Sequence, residues 1–284
     1  MANRWALLSD IHGNIDALEA VLRDLDDQRI DQLVVLGDIV NYGAAPRACL
    51  ERVLTEADVF ILGNHEHAIL DESGRVGMGG AAGAGLSYTA EVLSESPEWA
   101  AIASTVSFPS AAWKIHDGVQ LVHGSPRDPI AEYVWPGHSS YFLSFNDQLD
   151  ERLSQILAAR QAMHCLCGHT HIPAALVPYT ARGIFRGQRW DRQYTFVGPK
   201  TMFWVPCGEG VLEGLADVPA ILNPGSVGQP RDGRPEAAYA IYDGDVMHYR
   251  RVAYDIEAAQ RRIRAMPIDA DASAYLADRL ARGE

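Results

Sequence analysis

The chain has 284 residues and a formal net charge of −13 at pH 7. A chain of this length can bury a substantial core, as one large domain or as two small ones. The acidic balance excludes a protein that binds long nucleic acid over its whole surface, and the lack of any apolar stretch of about 20 residues excludes a membrane-spanning helix. The N-terminus enters a strand-like segment without the charged and apolar regions of a signal peptide, which predicts a cytoplasmic protein.

The first polar cluster follows a hydrophobic run that ends at Leu8. It contains Asp10 and His12, whose side chains project from the same side of an extended backbone because side chains alternate along a strand. A carboxylate and an imidazole in this arrangement suit two ligands on one cation. A turn closed by a hydrogen bond between the two side chains is the alternative interpretation.

The next fifty residues alternate between predicted helices and strands. In chain order the elements are a helix from Ile15 to near Gln28, a strand over Gln32–Leu36, a helix over Pro46–Glu56 and a strand over Asp58–Leu62. This alternation predicts right-handed βαβ units with parallel pairing. Ligands of such sheets gather beyond the carboxyl ends of the strands, and Asp38 and Asn64 follow two of these ends.

A glycine-rich segment, Ser73–Gly85, interrupts the pattern and is predicted to be a loop or hinge. Two short helices are predicted after it, around Leu86–Leu93 and Pro97–Ser104. We interpret the region at about 73–110 as an insertion. It either overhangs the site or packs on the flank of the sheet.

The second half of the chain predicts a second set of strands. The elements are a hairpin over Ala112–His116 and Val119–Val122, a long helix around Leu149–Leu157, strands over His164–Cys167, Ala174–Val177, Tyr194–Val197, Ile221–Asn223, Tyr239–Tyr242 and Val246–Tyr249, and helices over Asp255–Met266 and Ala270–Arg282. His123 follows the hairpin, and His169 and His171 follow the next strand. We therefore predict one domain over residues 1–284, with two sheets covered by outer helices.

Five polar clusters, each directly after a hydrophobic run, supply seven candidate metal ligands. They are Asp10, His12, Asp38, Asn64, His123, His169 and His171. Oxygen donors mixed with imidazoles suit Mn²⁺, Fe or, as an alternative, Zn²⁺ better than Ca²⁺ or Mg²⁺. Seven ligands are too many for one tetrahedral ion, so we predict two divalent or trivalent ions about 3.5 to 4 Å apart, bridged by Asp38.

The motifs that carry these ligands occur in a recognisable order between Asp10 and His171. They are Asp-x-His-Gly-Asn, Gly-Asp-x-x, Gly-Asn-His-Glu, Val-His-Gly and Gly-His-Thr-His. Together they resemble the calcineurin-like metallophosphoesterase superfamily, in particular its bacterial phosphodiesterase or diadenosine tetraphosphatase-like branch. The resemblance implies an α/β fold, a four-layer αββα sandwich of two mixed β-sheets flanked by helices.

The resemblance also implies a role for each candidate residue. One metal is expected to bind Asp10, His12, Asp38 and His171, and the other Asp38, Asn64, His123 and His169. His65 is not expected to be a ligand, because the family places at this position the histidine that protonates or stabilises the leaving oxygen. A histidine that caps a helix is the alternative interpretation of His65.

The chain departs from the protein serine/threonine phosphatase branch just after Asp38. That branch has Gly-Asp-x-x-Asp-Arg-Gly, whereas this chain has Asn41 in place of the aspartate that orients the histidine, and Tyr42 in place of the arginine that holds phosphate. Losing the carboxylate weakens the case for a permanently protonated His65. Protein phosphatase activity is therefore disfavoured.

Two arginines are candidates for binding the substrate phosphate, since a guanidinium forms forked hydrogen bonds with phosphate oxygens. Arg127 lies shortly after the predicted hairpin, and Arg231 lies after a glycine-rich loop that leaves a later strand. Pairing with the neighbouring Asp128 or Asp232 is the alternative. Residues 181–200 add further arginines among aromatic residues, which suits either a base-stacking surface or a solvated hairpin.

These features predict a dinuclear-metal-dependent phosphoesterase in which a metal-bound hydroxide attacks phosphorus and His65 assists the departing alcohol. The predicted substrate is a small phosphodiester, nucleotide or dinucleoside polyphosphate, with neither long nucleic acid nor a membrane as partner. A phosphomonoesterase or a protein serine/threonine phosphatase is the alternative within this reaction class. A non-catalytic scaffold with the same fold is the alternative of another class, which the retained ligands disfavour.

Overall fold

The computed structural model describes residues 3–75, 77–135 and 139–284, and of residues 139–147 the backbone alone. Its strands are β1 Trp5–Leu8, β2 Gln32–Leu36, β3 Val59–Ile61, β4 Trp113–His116, β5 Val119–Val122, β6 His164–Leu166, β7 Ala174–Pro178, β8 Phe196–Val197, β9 Thr201–Trp204, β10 Gly210–Leu212, β11 Ala220–Asn223, β12 Ala237–Tyr242 and β13 Met247–Val252. Its helices are α1 Ile15–Leu25, α2 Pro46–Glu56, α3 Asn64–Leu70, α4 Gly80–Ser94, α5 Pro97–Thr105, α6 Ser139–Ala158, α7 Ile256–Arg264 and α8 Ala270–Arg282, with short 3-10 turns over Glu72–Arg75, Ser110–Ala112 and Tyr179–Phe185. Within these described residues, none of the helices combines the length and the apolar composition that crossing a bilayer requires.

The strands of the described residues form two mixed sheets. The first has six strands in the order β10-β13-β12-β1-β2-β3, and the second has seven in the order β4-β5-β6-β11-β7-β9-β8. β1, β2 and β3 are parallel, as the alternation of strands and helices predicted. β5, β6 and β11 are parallel in the second sheet. Each sheet therefore has a group of strands whose carboxyl ends lie at one edge.

The two sheets pack face to face because their strands are apolar on both sides. In β1, Leu7 lies in the layer between the sheets with Leu166 and Trp204 of the second sheet. Its neighbour Leu8 lies on the other face, against α1 and α2. α6 covers the outer face of the second sheet through Leu153 and adjacent residues. Each fully buried leucine contributes about 1.5 to 3 kcal/mol to stability. Helices on the outer faces of two packed sheets make four layers, which confirms the predicted αββα sandwich.

The glycine-rich segment is helical from Gly80 onwards, so the prediction of a loop over Ser73–Gly85 was wrong for its second half. α4 buries Leu86 and Leu93. Its small residues also allow a close approach to the turn after β2, because a Cβ on Gly85 would lie 2.7 Å from Asn41 Oδ1. Tertiary packing here outweighs the low helix propensity of glycine.

The sequence pattern does not predict β9 and β10. The four residues of β9 are all buried, so β9 lacks the alternation of apolar and polar residues by which a half-exposed strand is recognised. The strand predicted over Tyr194–Val197 is shorter in the structure, where Phe196 and Val197 alone pair with β9. β8 and β9 lie in the second sheet, and β10 lies at the edge of the first, next to β13.

Candidate metal centre

The seven candidate ligands lie at the edge where the parallel strands of both sheets end. The first sheet supplies Asp10 and His12 after β1, Asp38 after β2 and Asn64 after β3, and the second supplies His123 after β5 and His169 and His171 after β6. Asn64 is half-buried, and the other six are at most 5% exposed. Pairing of the strands therefore brings together side chains that are far apart in the sequence.

Five of these residues have a left-handed backbone, with φ between 49° and 62°. They are Asp10, His12, Asp38, His169 and His171. Such conformations are uncommon outside glycine and cost roughly 1 to 3 kcal/mol each. Interlocked turns hold them, since the amide of Asp10 donates to Gly37 O at 3.0 Å and that of His12 to Asp38 O at 2.9 Å. The strained backbone conformations thus occur where the side chains of the candidate ligands converge.

One group consists of Asp10, His12, Asp38 and His171, whose ligand atoms all lie within 4.8 Å of one another. The Nδ1 atoms of His12 and His171 face the carbonyl oxygens of Val40 and Gln229, at 3.2 and 2.6 Å. A carbonyl oxygen can only accept, so Nδ1 carries the proton in each ring. The two Nε2 lone pairs then face each other at 3.0 Å. This contact is repulsive on its own and becomes favourable with a cation between the nitrogens.

The second group consists of Asp38, His123 and His169, again with ligand atoms within 4.8 Å of one another. His123 Nδ1 donates to Leu36 O at 2.8 Å, and its Nε2 lies 3.0 Å from Asn64 Oδ1, which adds an oxygen donor to the group. His169 Nε2 donates to Ala131 O at 3.1 Å. The opposite ring nitrogen of His169, Nδ1, is therefore left as a ligand atom.

Asp38 is shared by both groups. Its Oδ2 atom is buried and, among the described residues, accepts no hydrogen bond. It lies 3.2, 3.6 and 3.8 Å from the Nε2 atoms of His123, His12 and His65. A buried carboxylate oxygen without a donor is costly, and a bridging position between two cations removes that cost. The donor set therefore fits two metal ions.

The protonation of the cluster follows from its burial. Burial raises the pKa of Asp10 to about 7 and holds the pKa values of His12 and His171 well below the usual value. For Asp38, burial acts to raise the pKa, but the neighbouring His123, His65 and His12 together outweigh burial and hold that pKa well below its ordinary value. For His123, burial acts to lower the pKa, but the carboxylates of Asp38 and Asp10 and the carbonyl of Leu36 together outweigh burial and raise the pKa to about 9. Binding a cation therefore displaces a proton from His123, and metal affinity should fall as the pH is lowered.

His65 lies beside the cluster with its ring oriented by Asn41. The Oδ1 atom of Asn41 accepts from the amide of Tyr42 at 2.6 Å, so its Nδ2 faces His65 Nδ1, at 2.7 Å. The amide group donates this bond, which places the ring proton of His65 on Nε2. Burial lowers the pKa of His65 to about 4. His65 is therefore a neutral hydrogen-bond donor whose Nε2–H is directed at the cluster.

Glu66 ties together the turns that carry the ligands. One of its carboxylate oxygens accepts from the amides of Ile39 and Val40 at 2.9 and 3.1 Å, and the other from those of Asp38 and Gly63 at 3.1 and 2.7 Å. Four donors on one buried carboxylate fix the turn after β2 against the turn after β3. The role of Glu66 was not predicted from the sequence, although its place in Gly-Asn-His-Glu was a signal.

We expect Glu66→Gln to lower metal affinity about 10- to 100-fold, as for other residues that orient metal ligands. The amide group of glutamine replaces one acceptor by a donor, which faces backbone N–H groups that donate as well. Titration of metal-free protein with Mn²⁺, followed by calorimetry, measures the effect. Glu72→Gln, at an exposed carboxylate in the nearby 3-10 turn, is the matched control. Equal metal affinity of the two variants would contradict the role of Glu66.

The two candidate arginines differ in their positions. Arg231 lines the cleft above the cluster and donates from Nη2 to Gln229 Oε1 at 3.0 Å. Arg127 does not line this cleft in the described part of the chain. It pairs instead with Glu132, with Nε 3.0 Å from the carboxylate, and with Gln155. Neither arginine pairs with the neighbouring aspartate that the sequence analysis considered.

The cleft has a volume of about 600 Å³. His65 and Arg231 lie near its floor, and part of the predicted insertion lines it through Ser73, Gly74, Gly77, Met78 and Ala82. The arginine-rich segment 181–200 lies elsewhere, because β7 starts next to His171 and leads away to the 3-10 turn that begins at Tyr179. That segment is therefore not part of the candidate site.

The chain can be compared with known proteins on this basis. A metallophosphoesterase from Sphaerobacter thermophilus, known from its crystal structure, is 30% identical over 100% of both chains, with a TM-score of 0.75. A hypothetical protein from Pyrococcus horikoshii OT3 is 17% identical over 99% of this chain and 98% of its own, with a TM-score of 0.64, and shares the fold. An uncharacterised protein of Methanocaldococcus jannaschii is 28% identical over 263 residues, which are 91% of this chain and 90% of that protein.

The sequence model of the calcineurin-like phosphoesterase family matches residues 4–173. The matched range begins before β1 and ends just after His171, so it contains all seven candidate ligands and His65. It covers more than half of the chain. The chain therefore belongs to the calcineurin-like phosphoesterase family.

Proposed function

We propose that this metal-dependent phosphoesterase uses two metal ions to hydrolyse a small phosphodiester, nucleotide or dinucleoside polyphosphate. One ion would be held by Asp10, His12, Asp38 and His171, and the other by Asp38, Asn64, His123 and His169. The observation that carries the proposal is the shared carboxylate of Asp38, whose buried oxygen accepts no hydrogen bond from the part of the chain that the structure describes and lies between two clusters of ring nitrogens. The retained donor set argues against a non-catalytic scaffold.

The donor set favours manganese or iron, with zinc as the alternative, because imidazole nitrogens and carboxylate oxygens are mixed. When bound, two such ions would make a water molecule nucleophilic near neutral pH and neutralise charge on the phosphoryl group. Two divalent ions against the two carboxylates leave the floor of the cleft positive by about two charges, which attracts an anion despite the acidic surface.

The protein's own groups would then orient the substrate and stabilise the transition state. Arg231 lines the cleft and would bind non-bridging phosphate oxygens with its guanidinium. His65, which presents an N–H from Nε2, would donate a hydrogen bond to the oxygen that leaves phosphorus. Since Asn41 replaces a carboxylate, this donor is neutral and stabilises charge without a full proton transfer beforehand.

The size of the cleft supports a small substrate. A volume of about 600 Å³ lies within the range of about 300 to 1,000 Å³ that is usual for small-molecule sites. Tyr42 stands where the protein phosphatase branch has its phosphate-binding arginine, which removes the contact that such enzymes use. A phosphomonoesterase remains the alternative, because the same cluster would bind a terminal phosphate.

We expect Mn²⁺-loaded protein to hydrolyse bis-p-nitrophenyl phosphate or a nucleotide ester, and treatment with EDTA to abolish turnover. Release of p-nitrophenolate and metal analysis of the same samples measure the two effects. Comparison with p-nitrophenyl phosphate separates the diesterase from the monoesterase. Inactivity of the metal-loaded protein across a panel of diesters, monoesters and dinucleoside polyphosphates would overturn the proposal.

A further inference from the structure

In the cleft above the candidate metal centre, the side chains of the walls differ in polarity from those of the floor. Ile130, Ala131 and Tyr133 line the cleft from the segment after β5, and Met78 and Ala82 line it from around the start of α4. These side chains are apolar or aromatic and stand among a few polar ones, which are Asp128, Ser73 and His67, whereas the floor has His65 and Arg231. A phosphate alone fills only the floor. The walls therefore suit an apolar part of the substrate that is attached to the phosphate.

Tyr133 is the aromatic group in this wall, and its position is fixed relative to the candidate ligands. Its ring stacks on the imidazole of His169, with centroids 3.9 Å apart and planes inclined by 26°. The same segment accepts the Nε2–H of His169 through Ala131 O, at 3.1 Å. The carbonyl of Tyr133 in turn accepts from Arg152 Nη2 at 2.6 Å. The backbone and the ring of Tyr133 are thus both held next to the metal centre.

Tyr133 nevertheless remains 41% exposed, although it lies within a concave site. One face of the ring is covered by His169, and the residue lines the cleft. A large exposed aromatic ring next to a catalytic centre offers a flat surface on which a second ring can stack. Arg231, on the floor of the same cleft, lies where the attached phosphate would bind.

We propose that Tyr133 determines specificity by stacking on a planar aromatic group of the substrate, which makes a nucleoside phosphate the preferred substrate class. This inference rests on the proposed function, because it assumes that the phosphate binds above the metal centre. Base stacking on an aromatic side chain accounts for about a 10- to 100-fold change in affinity. The phosphate would contain the bond that is hydrolysed, and the base would determine which phosphoester binds most tightly.

The test compares two ligands that carry the same phosphate. Adenosine 5′-monophosphate and ribose 5-phosphate differ in the base, and calorimetry on Mn²⁺-loaded protein gives their dissociation constants independently of turnover. We expect the nucleotide to bind about 10- to 100-fold more tightly. Tyr133→Leu should remove this preference while leaving the affinity for ribose 5-phosphate unchanged, and Tyr133→Phe should retain it.

Three controls separate the possible failures. Tyr179→Leu, on the 3-10 turn away from the cleft, should leave both affinities unchanged. Metal analysis of Tyr133→Leu shows whether the ring merely supports His169, because a structural role alone would lower metal content and weaken both ligands equally. Equal affinity of the unaltered protein for the two ligands, or a preference that survives Tyr133→Leu, overturns the stacking role. Failure of both ligands and of inorganic phosphate to bind overturns the proposed function itself.

Discussion

Asp38→Asn is expected to remove at least one metal ion and to lower kcat by at least about a thousandfold, since Lewis-acid stabilisation by such ions is worth several kcal/mol. The variant keeps the shape of the side chain and the oxygen that accepts from the amide of His65 at 3.0 Å. It loses the negative charge that both ligand groups share. Metal content measured by elemental analysis, together with turnover of a p-nitrophenyl ester, gives both effects on one sample.

Asp26→Asn is the matched control for Asp38→Asn. Asp26 is exposed at the end of α1 and contributes to neither ligand group. It tests whether loss of one carboxylate changes activity through the net charge of the chain. A variant Asp38→Asn that keeps both metals and more than a tenth of the turnover would contradict the bridging position of Asp38.

The sequence could predict the ligand cluster because parallel strands have a simple geometry. Hydrophobic runs that end in polar residues mark the carboxyl ends of β1, β2 and β3, and parallel pairing brings these ends to one edge of the sheet. Asp10 and His12 do lie close together, but the extended backbone expected for them was wrong: both lie beyond the end of β1 and have left-handed backbones, with φ of 54° and 49°. The sequence therefore predicts which residues converge, and the turn that brings these two together appears only in the structure.

Other features depend on contacts between segments and were not predictable in this way. The tautomer of His65 is set by the amide of Asn41, whose own orientation is fixed by the backbone of Tyr42. The role of Glu66 appears only when the turns after β2 and β3 lie side by side. The helix that begins at Gly80 contradicts local propensity because it packs against the turn after β2.

His65→Ala is expected to lower kcat about 10²- to 10⁴-fold, the usual range for the loss of a side chain that assists proton or charge transfer. Metal content should stay unchanged, because His65 belongs to neither ligand group. His65→Gln should retain part of the lost rate, since its amide presents an N–H near the position of Nε2. Equal losses in the two variants would argue that an N–H donor is not what the reaction requires.

Asn41→Asp tests the neutral donor directly, because it reverses the hydrogen bond at His65 Nδ1. A carboxylate only accepts, so Nδ1 must carry a proton, and the neutral ring then has a lone pair on Nε2.

Burial lowers the pKa of His65 to about 4 in the unaltered protein, so its Nε2–H is present across the neutral range and kcat should show no ionisation of His65 there. The new carboxylate raises that pKa, and the variant donates from Nε2 only while its ring is protonated. Activity of Asn41→Asp should therefore fall as the pH rises through the raised pKa, whereas Asn41→Asp combined with His65→Ala should lack this limb. A pH profile of Asn41→Asp with the same shape as that of the unaltered protein would show that Asn41 does not set the tautomer.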